Sequence, residues 1–113
     1  MSIERRFHPR KDVNFSVNIV LNNNEQQLES TAVNLSLSGI QLSLDKASVD
    51  LILEQAGHPA EFQINLSDNS GVAPITVRLI VNRRVSQNKF LLGLKFINIS
   101  AEQLTTIELL LNH

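Results

Sequence analysis

Two arginines near the start of the chain are well suited to binding an anionic, planar ligand. Arg6 and Arg10 lie four residues apart in the segment ERRFHPR, residues 4–10. Each guanidinium is a planar fork of N–H donors that can bond two acceptors at once, such as phosphate oxygens or the O6 and N7 atoms of guanine. Four extended residues span roughly 13 Å, and an even spacing keeps both side chains on one side. The pair could therefore hold separate parts of one ligand.

A polar turn, NLSLSG at residues 34–39, supplies the second group of candidates. Asn34 offers a carbonyl that can accept from the N1–H and N2–H groups of guanine, and an amide NH₂ that can donate. Ser36 adds a small hydroxyl. Gly39 suits a position with positive φ, or one where a Cβ would collide with an approaching ligand. Because Asn, Ser and Gly are also ordinary turn residues, this motif by itself has a purely structural explanation.

Taken in this order, the two motifs resemble the signature of the PilZ family. That signature is R-x-x-x-R near the start of a small β-barrel, followed by D/N-x-S-x-x-G at a turn between later strands. The resemblance implies a bacterial receptor for cyclic di-GMP. The ligand-binding residues that it implies are Arg5, Arg6, Arg10, Asn34, Ser36 and Gly39.

Two of these residues carry further implications. The neutral Asn34 stands where the family also allows Asp, and a neutral acceptor forms a weaker hydrogen bond to guanine than a carboxylate does. The affinity is therefore expected to be lower. Arg5 precedes the first motif arginine, and by family resemblance an arginine there favours a stacked pair of ligands over a single one.

Composition limits the range of functions. The chain has 113 residues, which suits one domain. Its net charge of −1 argues against general binding to nucleic acid or to a membrane surface, although four of the ten basic residues lie within the first eleven positions. Cysteine is absent, which is compatible with a reducing cytoplasm. No apolar run approaches the length of a membrane span, so a soluble cytoplasmic protein is expected.

Alternation of apolar and polar residues predicts a mainly β chain. Six segments show this pattern, at residues 13–21, 31–35, 40–44, 62–66, 75–81 and 90–96. Thr31, Val33 and Leu35 are expected on one face of the second strand. Six strands in so short a chain are best closed as an antiparallel β-barrel, because closure removes exposed edges. Ser100 and Gln103 form a capping box that predicts an amphipathic C-terminal α-helix over one barrel opening.

The expected domain organisation is a single PilZ-like domain. Residues 1–11 form a flexible ligand-binding arm, since residues 4–11 are dominated by like charges and have only Phe7 as an apolar anchor. Residues 12–97 form the barrel, and residues 100–112 form the helix. The arm is expected to become ordered when the ligand bridges it to the turn at residues 34–39. The intervening residues 45–59 fit either a short helical turn or a packed loop.

Other functions have less support in the sequence. None of the common catalytic local signatures is present, so no enzymatic activity is expected. His8, His58 and His113 have no metal-ligand spacing, and neither a metal nor a cofactor is expected. Arg83 and Arg84 could extend a phosphate site, but a solvated hairpin end is the plainer explanation.

Two alternatives to the receptor remain. One is a PilZ-like protein-protein scaffold that binds no nucleotide, and the intact motifs count against it. The other is a small-barrel binder of single-stranded nucleic acid, which would need exposed aromatic platforms, whereas the chain has no Trp or Tyr. Because no output domain is visible, a receptor is expected to signal through a separate, unidentified effector protein.

Overall fold

Residues 9–21, 26–66 and 73–112 are the part of the chain that the structure, a computed structural model, describes. They form a closed six-stranded antiparallel β-barrel with two helices. The strands are β1 (Lys11–Leu21), β2 (Gln26–Leu35), β3 (Gly39–Leu44), β4 (Glu61–Asn65), β5 (Ile75–Ser86) and β6 (Lys89–Ile97), and the helices are α1 (Lys46–Gln55) and α2 (Ala101–Leu111). Around the barrel the order is β1-β2-β3-β6-β5-β4. The predicted barrel with a C-terminal helix is confirmed.

Aliphatic side chains from every strand fill the barrel interior. Those with no exposed surface include Ile19, Leu42, Ile64, Val77 and Leu92. Burying a side chain of this size contributes roughly 1.5–3 kcal/mol. The alternation that buries these residues also fixes which residues face outward, and on β3 and β6 the outward positions include Gln41 and Gly93.

The prediction for the inner face of β2 is wrong. Thr31 is exposed and Ala32 is fully buried, while Leu35 is buried as expected and Val33 is half-buried. The pairing of β2 with β3 changes register between Ala32 and Asn34, which is the mark of a β-bulge. Since side chains alternate with a period of two, this irregularity resets the pattern and leaves Asn34 on the outer face.

A similar irregularity changes the second half of β5. Ile75 and Val77 are buried as predicted, but Val81 is 49% exposed. The pairing of β5 with β6 changes register between Leu79 and Val81. Residues 80–86 are exposed while still paired with β6, so this stretch presents side chains to the surface where continued alternation would have buried every second one.

The region at residues 45–59, left open by the sequence, contains the ten-residue helix α1. Asp45 caps it, since its carboxylate accepts a hydrogen bond from the backbone N–H of Ser48 at 2.9 Å. Hydrogen bonds from the side chain and backbone of Ser48 lower the pKa of the Asp45 carboxyl. Val49 and Ile52, one helical turn apart, are buried in the core. Their packing explains why this segment is a helix and not a loop.

The predicted capping box at the start of α2 is present. The backbone N–H of Gln103 donates to the Ser100 hydroxyl at 3.1 Å, and the Gln103 side chain accepts from the Ser100 backbone N–H at 2.9 Å. Ile107 is fully buried in the barrel core. At the other end of the helix, the Lys11 ammonium donates to the backbone carbonyl of Leu111 at 2.8 Å. The last turn of α2 is thus tied to the start of β1.

Candidate ligand-binding site

A cavity of about 540 Å³ lies on the outer surface of the barrel, where β2, β3, β6 and β5 run side by side. Four of the six predicted site residues line it, and these are Arg10, Asn34, Ser36 and Gly39. The other two, Arg5 and Arg6, lie outside the described residues, so their place in the site stays a prediction. The fold thus brings the start of β1 and the turn between β2 and β3 to one cavity.

The turn at residues 36–39 is held by the hydroxyl of Ser36. This oxygen accepts hydrogen bonds from the backbone N–H groups of Ser38 and Gly39, each at 3.2 Å. The Ser36 backbone N–H donates to the Gly39 carbonyl at 2.9 Å. Ser36 is buried, with 5% of its surface exposed. Its hydroxyl therefore shapes the turn, and its direct contribution to a ligand stays a prediction.

Glycine is needed at position 39 because the backbone of β6 lies directly against it. Among the described glycines only Gly57 has a positive φ, so the left-handed conformation considered for Gly39 is not the reason. A Cβ at Gly39 would collide with the backbone carbonyl oxygen of Leu94 on β6. The backbone carbonyl of Ser38 also accepts from the N–H of Phe96 at 3.0 Å. The turn and β6 are therefore in such close contact that only glycine fits.

Asn34 faces the cavity with its amide already oriented. Its Nδ2 donates to Oε1 of Gln41, the residue paired with it on β3. Within the described part of the chain the side-chain oxygen of Asn34, Oδ1, has no partner, so it remains available as an acceptor. Sequence reasoning missed Gln41, although its place between the inward-facing Ile40 and Leu42 would have identified it as an outward residue of the same hairpin.

The cavity is electropositive. Its basic lining residues are Arg10, Arg83 and Lys95, and none of its described lining residues is acidic. An exposed basic surface with no neutralising carboxylate attracts anions. Arg78, by comparison, does not line the cavity and is paired with Glu61 at 2.6 Å. None of the three basic residues of the cavity has an acidic partner within the described part of the chain.

The structure separates Arg83 from Arg84, which the sequence analysis treated alike. Arg83 lines the cavity. Arg84 donates instead to the backbone carbonyls of Ser86 and Gln87, at 3.1 and 3.2 Å, and its guanidinium lies 5.8 Å from the ring centre of Phe90. Both arginines are exposed on the β5–β6 hairpin, as inferred, but only Arg83 also lines the cavity. Arg83 could have been identified only from the irregularity in β5, and the local sequence pattern does not reveal that irregularity.

The wall that β5 contributes is apolar. Ile80 and Val81 line the cavity and are 59% and 49% exposed. Between this wall and Gln41 lies Gly93 of β6, paired with both Gln41 and Val81. Because Gly93 has no side chain, the floor of the cavity at this point is bare backbone and leaves open space above it. An apolar wall beside a bare floor suits the flat face of a ring.

The comparison with family models agrees with this arrangement. The model of the PilZ domain matches residues 4–113. The chain belongs to the PilZ domain family. The resemblance noted from the two motifs is thereby confirmed. No curated protein matches the sequence.

Solved structures similar to this PilZ domain share its fold. MrkH of K. pneumoniae in complex with cyclic di-GMP is 15% identical, with a TM-score of 0.68, and the match covers 97% of this chain and 52% of MrkH. The PilZ domain of YcgR from Escherichia coli with cyclic di-GMP is 17% identical, with a TM-score of 0.59, covering 93% and 87%. The inhibitor of motility MotI/DgrA from Bacillus subtilis is 19% identical, with a TM-score of 0.67, covering 97% and 53%. The chain spans about half the length of MrkH and MotI.

The residues that the structure describes in this PilZ domain offer neither a membrane-spanning helix nor a metal site. No helix there is long and apolar enough to cross a membrane. The same residues hold no cluster of three or more His, Asp or Glu side chains that could bind a metal ion.

Proposed function

We propose that this PilZ domain is a receptor for cyclic di-GMP that binds its ligand in the cavity over β2, β3, β6 and β5. The observation that carries the proposal is the shared cavity of Arg10 and the turn at residues 34–39, two motifs far apart in the sequence. Cyclic di-GMP carries two phosphodiesters and two guanines. The basic lining suits the phosphodiesters, and the volume of about 540 Å³ falls in the range usual for ligand sites.

Each motif has a defined role in this proposal. Arg10, together with Arg6 and Arg5, bonds phosphate oxygens or the O6 and N7 edge of guanine. The free carbonyl of Asn34 accepts from guanine N1–H and N2–H, because its NH₂ group is held by Gln41. Ser36 and Gly39 keep the turn in the shape that presents Asn34. Two of the similar structures, MrkH and YcgR, contain cyclic di-GMP, which adds support.

The receptor binds its ligand without converting it and passes the signal to an effector protein in the bacterial cytoplasm. In the proposed mechanism the arm that precedes β1 becomes ordered on the barrel surface beside the cavity when the ligand bridges its arginines to the turn. The ordered arm and the cavity rim together form a surface that exists only in the bound state. Such a surface is what an effector would recognise.

Cyclic di-GMP is expected to bind far more tightly than cyclic di-AMP. Adenine carries N6–H₂ where guanine carries O6, so an arginine that reaches both O6 and N7 would meet a donor instead of an acceptor. Titration calorimetry with the two dinucleotides, and with GTP as a further control, measures the difference. Chromatography of the recovered ligand should show it intact. Equal affinity for the two dinucleotides, or no binding of either, would refute the proposed function.

The stoichiometry is expected to be two ligands per chain, bound as a stacked pair. Arg5 supplies an extra guanidinium that offsets the doubled negative charge. In calorimetry the Arg5→Ala variant should bind one ligand and the unchanged protein two. A ratio near one for both would leave the receptor proposal standing and remove the role of Arg5.

A further inference from the structure

Arg83, on the β5 side of the cavity, has no role in ligand binding assigned so far. Arg83 is exposed, lines the cavity and, within the described part of the chain, has neither an acidic partner nor a hydrogen bond. Its neighbour Arg84 makes two hydrogen bonds to backbone carbonyls and lies against an aromatic ring. A guanidinium left unpaired beside an apolar wall is free to bond an incoming anion.

This cation lies on the opposite side of the cavity from Asn34. Asn34 is on β2, Arg83 is on β5, and β3 and β6 lie between these strands. Three inter-strand steps of about 4.8 Å make roughly 14 Å when followed along the curved sheet. A ligand group held by Asn34 therefore leaves the β5 side to be filled by another group of the same molecule, or by a second molecule stacked on it.

We propose that Ile80, Val81 and Arg83 form a second subsite, which binds the half of the dinucleotide that lies away from the turn at residues 34–39. Ile80 and Val81 contact the face of a purine, and Arg83 bonds a phosphodiester oxygen of that half. Gly93 leaves room for the ring to lie against this wall. The inference rests on the proposed function, since it names how the same ligand is gripped on its other side.

Adjacent arginines provide a matched test of the charge. Calorimetry with cyclic di-GMP should show that Arg83→Ala weakens binding about tenfold, because it removes a charge-assisted hydrogen bond. Arg84→Ala should bind as the unchanged protein does. The dependence of affinity on salt should also become less steep in Arg83→Ala alone. Equal affinities for the two variants would overturn the subsite.

Two valines of β5 provide the corresponding test of the apolar wall. Val81 and Val85 are each 49% exposed, but only Val81 lines the cavity. Val81→Ser should weaken binding roughly fivefold, because about half of a valine surface loses its contact with the ligand. Val85→Ser should have no effect. Similar losses in both variants would indicate a general disturbance of the hairpin and would contradict the subsite.

A measurement on the unchanged protein guards against variants that fold poorly. When cyclic di-GMP is added, the backbone amide resonances of residues 80–83 and of Gly93 should shift, and those of residues 85–88 should not. If the protein does not bind cyclic di-GMP at all, the proposed function fails. If it binds while Arg83→Ala and Val81→Ser retain full affinity and these amides stay unchanged, only the second subsite fails.

Discussion

Arg10→Ala is expected to weaken binding of cyclic di-GMP by roughly thirtyfold, about 2 kcal/mol, because it removes charge-assisted hydrogen bonds to the ligand. Arg6→Ala should cost a similar amount. The melting temperature of Arg10→Ala should stay unchanged, since Arg10 is exposed at the start of β1 and has no partner among the described residues. Calorimetry measures the affinity, and thermal unfolding in the absence of ligand checks the fold.

Two further variants show whether the loss comes from the guanidinium itself. Arg10→Lys keeps the charge but not the planar fork, so it should recover part of the affinity and leave a deficit. Lys89→Ala removes an exposed charge that does not line the cavity, and it should bind normally. If Arg10→Ala bound as tightly as the unchanged protein, or unfolded, the role given to the arm would be wrong.

Gly39→Ala is expected to lower the free energy of unfolding by about 2–3 kcal/mol, in the range that overpacking costs. The added Cβ would collide with the Leu94 carbonyl, and this backbone atom can move away only if β3 and β6 separate. Binding should also weaken strongly, because the turn that presents Asn34 would move with β3. Urea denaturation measures the stability, and calorimetry on the folded protein measures the affinity.

Gly93→Ala is the matched control for this effect. A Cβ there would lie 3.3 Å from the Cβ of Val81, so the exposed stretch of β5 that carries Val81 would have to shift by only a few tenths of an ångström. Its stability should therefore fall by less than about 1 kcal/mol. Equal losses in Gly39→Ala and Gly93→Ala would show that contact with the β6 backbone is not what demands glycine at position 39.

The barrel could be predicted from the sequence because most of its strands alternate regularly and its C-terminal helix carries a local capping signal. The faces of β2 and β5 could not be predicted in full. On each strand a register change moves residues such as Ala32 or Val81 to the face opposite the one that alternation gives. A bulge depends on pairing with a distant strand, so the local pattern contains no sign of it.

The residues of the candidate site are of two kinds, those that belong to a sequence motif and those that only the fold brings to the cavity. Arg10 and Asn34 belong to contiguous motifs, and residue type alone indicated their chemistry. Gln41 and Arg83 reach the cavity only because distant strands become neighbours, and neither belongs to a motif. The sequence suggested glycine at position 39 for a positive φ or for the close approach of a ligand. In the structure a Cβ there would collide with the backbone of Leu94, which is 55 residues later in the chain. Long-range contacts of this kind become visible only in the folded barrel.

The hydrogen bond from Lys11 to the backbone carbonyl of Leu111 connects the start of β1 to the last turn of α2. Lys11 directly follows Arg10, so a ligand bound to Arg10 would be coupled to the last turn of α2 if it changed the position of Lys11. Thermodynamic linkage makes this influence mutual. An effector that binds this turn in the conformation favoured by the bound ligand would raise the affinity of the protein for the ligand. The ligand would raise the affinity for the effector by the same factor. The response to a given level of messenger would then depend on how much effector is present.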